Sequence, residues 1–420
     1  MANRIYFANQ QLSFRPIGAA TVPAWRTAHG VQSLGVTTTF NLEQAFELGQ
    51  LAIYENIEGV PDVEITCSKV LDGYSLLYHL ATDEGDHTKL GSSHGPDLAG
   101  RSNASVMVAL GIWPDTNNSA SGDPVQQMEC SGMFCSSVSY NFPLEDNFTE
   151  DITLVGNNKG WKDGTAAIDC SEPGWNFSTA TGDFSNNNDT PKASGTNTVP
   201  THHNTPVGGA FEVAQLGGIN RRENMSFAPS NAELASKGTG YDYTRLPSQI
   251  PGVNATGWFD AKGTNTAHVQ SISVSTDLGR EELFEMGTRQ PFARVVTFPI
   301  EVTCDIECLS VSGDLINAFA DGCQYSTDPC TGVVDNLTPE TIRIATCEGT
   351  RIYLGENNKL ASVNYGGGDA GGGNVTVTYS YTTFNDFTVI HPQDPNVSGS
   401  GWGASRSGYL SDLAGDTTLV

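Results

Sequence analysis

The chain has 420 residues, enough for two or three domains that each bury a core. Only 16% of the residues are charged, and the abundance of Gly, Ser, Thr and Asn favours short strands and turns over long helices. A net charge of −26 excludes a protein that grips nucleic acid by its phosphates, which takes clustered Lys and Arg; it leaves open a wall past which a polyanion slides, or acidity kept for solubility alone.

Residues 1–28 read as an N-terminal arm. Ile5 to Phe7 and Leu12 to Arg15 alternate weakly, Pro16 and Pro23 break any helix, and the stretch is too poor in apolar surface to fold alone. It is expected to lie on another domain or a neighbouring subunit. The first residues carry no basic region followed by an apolar run, so no signal peptide is expected. No stretch approaches the roughly 20 apolar residues of a spanning helix, and no membrane partner is expected.

A first domain is expected over 29–160. It opens with a strand from Val31 to Phe40, followed by Asn41 to Gly49, which reads either as a short helix with an Asn cap and a closing glycine or as a further strand. Strands are predicted at Leu51 to Tyr54, Asp62 to Cys67 and Val106 to Trp113, and the best helix at Ser75 to Ala81. Gly132 to Phe142 and Phe148 to Val155 alternate either side of Pro143 to Asn147 and predict a hairpin.

Residues 161–265 turn to Asn, Gly, Thr, Ser and Pro and read as a polar, irregular insert serving as an assembly or outer surface. A second domain is expected over 266–392, with a helix in Leu309 to Phe319, strands at Thr341 to Thr346 and Ile352 to Leu354, and a final hairpin from Leu360 to Tyr381 across a glycine-rich tip. Residues 393–420 form a C-terminal tail. The fold class is therefore mainly β: two tandem antiparallel sandwich or barrel domains, each with a short flanking helix.

The two domains repeat one another. Val31 to Gly49 reappears ungapped as Val269 to Gly287, keeping Glu43/Glu281, Phe46/Phe284, Glu47/Glu285 and Gly49/Gly287. Further on, Val63 to Cys67 is echoed by Ile300 to Cys304, and Ser137 to Tyr140 by Ser362 to Tyr365. Order is kept while spacing drifts between blocks, as when loops change length and strands do not.

Little of the sequence points to catalysis, and neither an enzyme nor a cofactor is expected. Gly91 to Gly95 spells Gly-x-Ser-x-Gly but lacks the apolar strand and following helix of a nucleophile elbow. His87, His94, His202 and His203 lie in polar loops, and Glu281-Glu282 and Glu150-Asp151 suit a surface turn or strand end. Nine cysteines include no zinc pair; buried thiols or disulfides, for example Cys323 to Cys330, both remain open.

Phe46 to Tyr54, Val60 to Thr66, and Ser137 to Pro143 followed by Phe148 to Leu154 give the chain a likeness to tail tube (major tail) proteins of tailed bacteriophages; it resembles them over both repeats. The resemblance implies a β-sandwich with a flanking helix, stacked rings, and a virion channel for genome passage. Such rings usually hold six single domains, so a chain with two implies homotrimeric rings of pseudo-sixfold symmetry. Partners would be other copies, other tail proteins and double-stranded DNA in transit. Inward-facing residues are sought on Leu51 to Glu55 and Arg289 to Val295. Another virion component, such as a head decoration or tail terminator protein, and a bacterial surface-layer protein are the alternatives.

Overall fold

Runs in which Val, Ile, Tyr and Cys alternate with Ser, Thr and acidic residues become half-buried antiparallel strands, because one side of each pleat meets a core and the other does not. The computed structural model describes residues 10–16, 26–49, 53–72, 75–82, 104–112, 126–163, 219–225, 244–253, 267–316, 338–346, 350–366 and 373–391, with isolated positions Ile5, Phe7, Leu51, Leu98, Phe227 and Gly368. All statements below concern these residues.

In chain order the strands begin with β1 (Gln10–Pro16), β2 (Arg26–Thr27), β3 (Val31–Thr39), β4 (Leu42–Phe46), β5 (Ile53–Glu58) and β6 (Asp62–Val70). Helix α1 (Leu77–Ala81) precedes β7 (Val106–Ile112), β8 (Gln126–Pro143), β9 (Thr149–Gly156) and β10 (Asn158–Asp163). There follow β11 (Val269–Asp277), β12 (Arg280–Leu283), β13 (Ala293–Val296) and β14 (Glu301–Leu309), then β15 (Arg343–Ala345), β16 (Arg351–Tyr353), β17 (Lys359–Gly366), β18 (Thr376–Phe384) and β19 (Thr388–Ile390). The protein is mainly β, as its composition predicts.

One antiparallel path runs β3-β6-β9-β8-β11-β14-β18-β17. It consists of two four-stranded blocks, β3-β6-β9-β8 and β11-β14-β18-β17, joined where β8 pairs with β11. The blocks have the same strand order, and each carries an outlying hairpin between its first two paired strands, β4-β5 in one and β12-β13 in the other.

Local irregularities match as well. The β3–β6 ladder bulges between Val31 and Ser33, and the β11–β14 ladder between Val269 and Ser271. At each bulge a glutamine turns back on the chain: Gln32 Nε2 donates to the Gly30 carbonyl at 3.1 Å, and Gln270 Nε2 to the His268 carbonyl at 2.9 Å. Both accepting residues have positive φ, 73° at Gly30 and 49° at His268. Second bulges fall between Cys135 and Ser137 and between Leu360 and Ser362. A bulge adds one unpaired residue and sharpens twist at a fixed point, so equal bulges keep both ladders in equal register.

Strand β8 is long enough to serve two sheets. Its second half sits between β9 and β11, while its first half pairs with β10 and β7. Gly132, at φ 66°, lies where the strand passes from one sheet to the other. Beyond β7 lie β1 and then β2, so the described part of the arm adds an edge to its own chain. Strand β10 runs to Asp163, across the expected boundary at 160.

The inner face of the eight-strand path carries Ile65, Leu154, Tyr140, Val274, Ile306 and Tyr379, all buried. Over it pack α1, Leu246, Ile250 and the small sheet β15-β16-β19. Of the polar insert, Arg245 exchanges backbone hydrogen bonds with Arg343 at 2.7 and 3.0 Å, so this stretch belongs to the core's cover.

One open alternative is settled and one expectation is revised. Residues 42–46 are a strand, since Gly59 N–H bonds the Asn41 carbonyl and closes a hairpin, and Gly49 at φ 92° serves its turn instead of a helix end. The helix expected in Leu309 to Phe319 does not form over 310–316; Gly313 and Leu315 have φ of 83° and 54°, which no right-handed helix admits. Phe319 and its neighbours from 317 lie outside the described residues.

The helix that does form is anchored by a buried carboxylate. Glu150 accepts from the Leu77 N–H at 2.6 Å, the Tyr78 N–H at 2.9 Å and the Tyr140 hydroxyl at 2.9 Å. Burial pushes its carboxyl above the usual range, against the pull of those donors and of the Lys69 charge. The matching position in β18 is Val377, which offers no acceptor.

At the far side of α1, His79 Nε2 lies 3.0 Å from the Val389 carbonyl, and its ring stands 6.5 Å from that of His391. Burial first, then the charges of His79, Lys69 and Arg351, holds the His391 imidazole well below its ordinary value. The unfolded chain takes up this proton below about pH 6.5, and the folded chain does not. Its contribution to stability is therefore complete above about pH 6.5 and is lost as pH falls through the depressed folded value. His391→Asn is expected to flatten the acid limb of the stability curve, by up to about 1.4 kcal/mol per pH unit. Urea titrations between about pH 7 and 5 with an unchanged slope would disprove this.

Candidate functional site

The outer face of the eight-strand path is the one extended surface with a uniform chemistry. Strand alternation places Asp62, Glu64 and Thr66 of β6 there, Asp151 and Thr153 of β9, and Ser137, Ser139 and Asn141 of β8. The second block adds Asp277, Ser275 and Ser273 of β11, and Glu301, Thr303, Asp305 and Glu307 of β14. Hydroxyls and carboxylates interlock across strands. Asn141 donates to Asp151 at 3.0 Å, Ser275 and Thr303 hydroxyls meet at 2.7 Å, and Ser271 donates to Glu307 at 3.2 Å. Among the described strand residues of this face, Lys359 is the cation. The face is short-chained, hydrophilic and negative.

This face ends at two open strands. Strand β3 pairs only with β6, and β17 only with β18, among the described strands. Both expose what their counterparts bury: β17 is largely exposed from Ala361 to Gly366, whereas the matching stretch of β8 lies between two neighbours. Phe40, just past β3, is 70% exposed, while its counterpart Leu278 is fully buried with its N–H bonded to the Ser136 carbonyl at 2.7 Å.

The internal joint shows how such edges mate. Across β8–β11 the opposed pairs are Tyr140–Val274, Ser139–Ser275 and Val138–Thr276. Arg280 Nε donates to the Cys135 carbonyl at 2.7 Å, its guanidinium 5.2 Å from the Phe134 ring centre. Arg289 reaches the Glu58 and Gly59 carbonyls at 3.0 and 2.8 Å, and Arg294 pairs with Glu282 beside Asn157 and Asp62.

The repeated positions lie in the two hairpins. Phe46 and Phe284 are 66% and 55% exposed, Glu43, Glu47, Glu281 and Glu285 are exposed, and Gly49 and Gly287 share φ of 92° and 95° at the turns. The stretches expected to face inward, Leu51 to Glu55 and Arg289 to Val295, belong to these hairpins and not to the strands of the acidic sheet face, although Arg294 reaches Asp62 at its border. Sequence reading missed the sheet face, although its signal was present as Ser, Thr, Asp and Glu at every second position of β6, β11 and β14.

Cys67, Cys130, Cys135, Cys304 and Cys308 are buried free thiols. Burial pushes Cys67, Cys130 and Cys135 up to about 12, so they stay protonated and inert. Cys323, Cys330, the Gly91 to Gly95 stretch and His87, His94, His202 and His203 lie outside the described residues. Among the described residues no group of His, Cys, Asp and Glu could hold a metal, and no helix is long and apolar enough to cross a membrane.

No family model and no curated protein matches the chain. Among solved structures, a chain of the anti-feeding prophage baseplate, 6-fold symmetrised, is 10% identical with a TM-score of 0.28, over 39% of this chain and 98% of that one. A chain of the anti-feeding prophage cap is 13% identical with a TM-score of 0.25, over 39% and 93%. A chain of the sheath-tube complex of an extracellular contractile injection system in its extended state is 12% identical with a TM-score of 0.24, over 38% and 92%.

Proposed function

We propose that the chain is a structural subunit of a phage tail tube, carrying two copies of one tube domain, at 29–160 and 266–392. The observation that carries this reading is that the two open edges repeat the residue pairs of the internal joint. Setting β17 of one copy against β3 of the next, in the register of β8–β11, opposes Tyr365 to Val36, Asn364 to Thr37 and Val363 to Thr38. The first and last pairs are the same residue types as Tyr140–Val274 and Val138–Thr276.

A heterologous joint that repeats by rotation closes into a ring and leaves no strand edge exposed. Six domains in the ring take three chains. The acidic sheet face then lines the channel, where like charge keeps double-stranded DNA from sticking; at physiological salt the repulsion reaches about 8 Å. Phe46, Gly49, Phe284 and Gly287 become matching elements of two hairpins per chain, and other tail proteins would meet the ends of the tube. The site of action is the virion.

Electron microscopy of the purified full-length chain at rising concentration tests this. Hollow stacked rings with three chains each are the expected result. Single rings that do not stack would move the reading to a tail terminator, and monomers at high concentration would defeat it.

A further inference from the structure

Resting on the ring reading above, we infer that the seam between chains is an apolar counterpart of the polar seam within the chain, and that the patch Phe40–Leu42–Leu51 is a docking surface for a second copy. The internal seam is held by Arg280, Arg289 and Arg294 with Glu282 and Asp62. At the open edge the corresponding residues of the first block are Leu42 for Arg280, Leu51 for Arg289, Asn56 for Arg294 and Gln44 for Glu282. Arg280, Arg289, Arg294 and Glu282 of the second block's hairpin side are thus replaced by uncharged residues in the first, while Ala293 and Val296 are replaced by the exposed Glu55 and Glu58.

The opposite edge has changed in part: it keeps a carboxylate, Glu301, at the place of Asp62, but gains aromatic side chains around it. Asn157, which receives Arg294 in the internal seam, corresponds to Phe384 at the end of β18, and Gly59, whose carbonyl receives Arg289, corresponds to Thr297 beside Phe298. Phe384 and Phe298 are 55% and 47% exposed, and Leu42 and Leu51 are 62% and 104% exposed; a seam built in the register of β8–β11 sets the first pair of one copy against the second pair of the next. A shallow notch lined by Phe40, Leu42 and Ile57 together with Asn41, Glu43 and Gly59 lies at the foot of the first hairpin. In the second block the equivalent place is filled: Leu278 is buried and bonded to the Ser136 carbonyl. The occupant of the notch is thus the Ala361 bulge of a second copy, whose carbonyl takes the Phe40 N–H as Ser136 takes that of Leu278.

Such exchange lets one domain pair fold on its own through a polar seam while reserving the apolar seam for assembly. The test uses the full chain, with sedimentation and electron microscopy giving the concentration at which rings form. Phe40→Ser with Leu42→Ser, both at exposed positions, is expected to raise it ~10- to 100-fold without changing the melting curve of the unassembled chain. Phe40→Leu, the residue used at the internal seam, should assemble like the wild type. Wild-type rings should also persist in about 1 M NaCl, where a seam of ion pairs weakens. If the wild type forms rings and the double-serine variant forms them at the same concentration, the apolar seam is wrong and the ring reading stands. If the wild type never assembles, the ring reading falls and the seam with it.

Discussion

Glu150→Ala is expected to cost the unassembled chain about 3–5 kcal/mol, a large share of the 5–15 kcal/mol that holds a typical domain together. The carboxylate receives two backbone N–H groups at the start of α1 and the Tyr140 hydroxyl, all buried, and alanine leaves these donors without an acceptor. Lys69, itself buried, keeps its bond to Asp72 at 2.5 Å but loses a second negative charge nearby. Glu150→Gln keeps one acceptor oxygen but turns an amide N–H₂ toward a backbone donor, so an intermediate loss is expected. Equilibrium unfolding in urea checks both variants, and a loss under about 1 kcal/mol for Glu150→Ala would mean that water replaces the carboxylate. The helix is tied to one block for this reason: Val377 stands at the matching place in the other.

Thr37→Cys together with Asn364→Cys is expected to convert most of the assembled protein into disulfide-linked species whose ladder ends at three chains. The two positions are exposed in the single chain and lie opposite each other only if β17 of one copy continues into β3 of the next in the register of Ser139–Ser275. Directly opposed residues on antiparallel strands bring their Cβ atoms to about 4.5–5.5 Å, near enough for a disulfide after small shifts. The described native cysteines are buried, and each single variant measures the cross-linking contributed by the remaining native cysteines. A ladder passing three would give a different ring count or an open filament. No cross-link in intact rings would show that another surface closes them.

Much of the fold was legible from alternation alone. Strands β6, β8, β9, β14, β17 and β18 fall where Val, Ile, Tyr and Cys alternate with hydroxylic and acidic residues, because a pleat with one dry face demands it. Helix α1 was legible from Ser75 to Ala81, although its anchor was not, since Glu150 lies 73 residues from Leu77 and resembles a surface carboxylate in sequence. Residues 42–46 were ambiguous because Leu42, Phe46 and Gly49 suit a helix and a hairpin equally; the partner strand β5 decides. The stretches expected to face inward lie in the two hairpins and not in the sheet, a distinction that sequence leaves open because a hairpin and a sheet strand share the same period of two.

The sequence by itself determined that the chain is mainly β, that Val31 to Gly49 recurs as Val269 to Gly287, and that the molecule is strongly acidic. These are matters of period, identity and count, which need no coordinates. Only the tertiary structure decided which alternate residues face solvent, that β8 and β11 join the two blocks, and that β3 and β17 are left open. Edge and face are relations between strands far apart in the chain, fixed by which backbone groups find partners, and no local pattern of side chains records them.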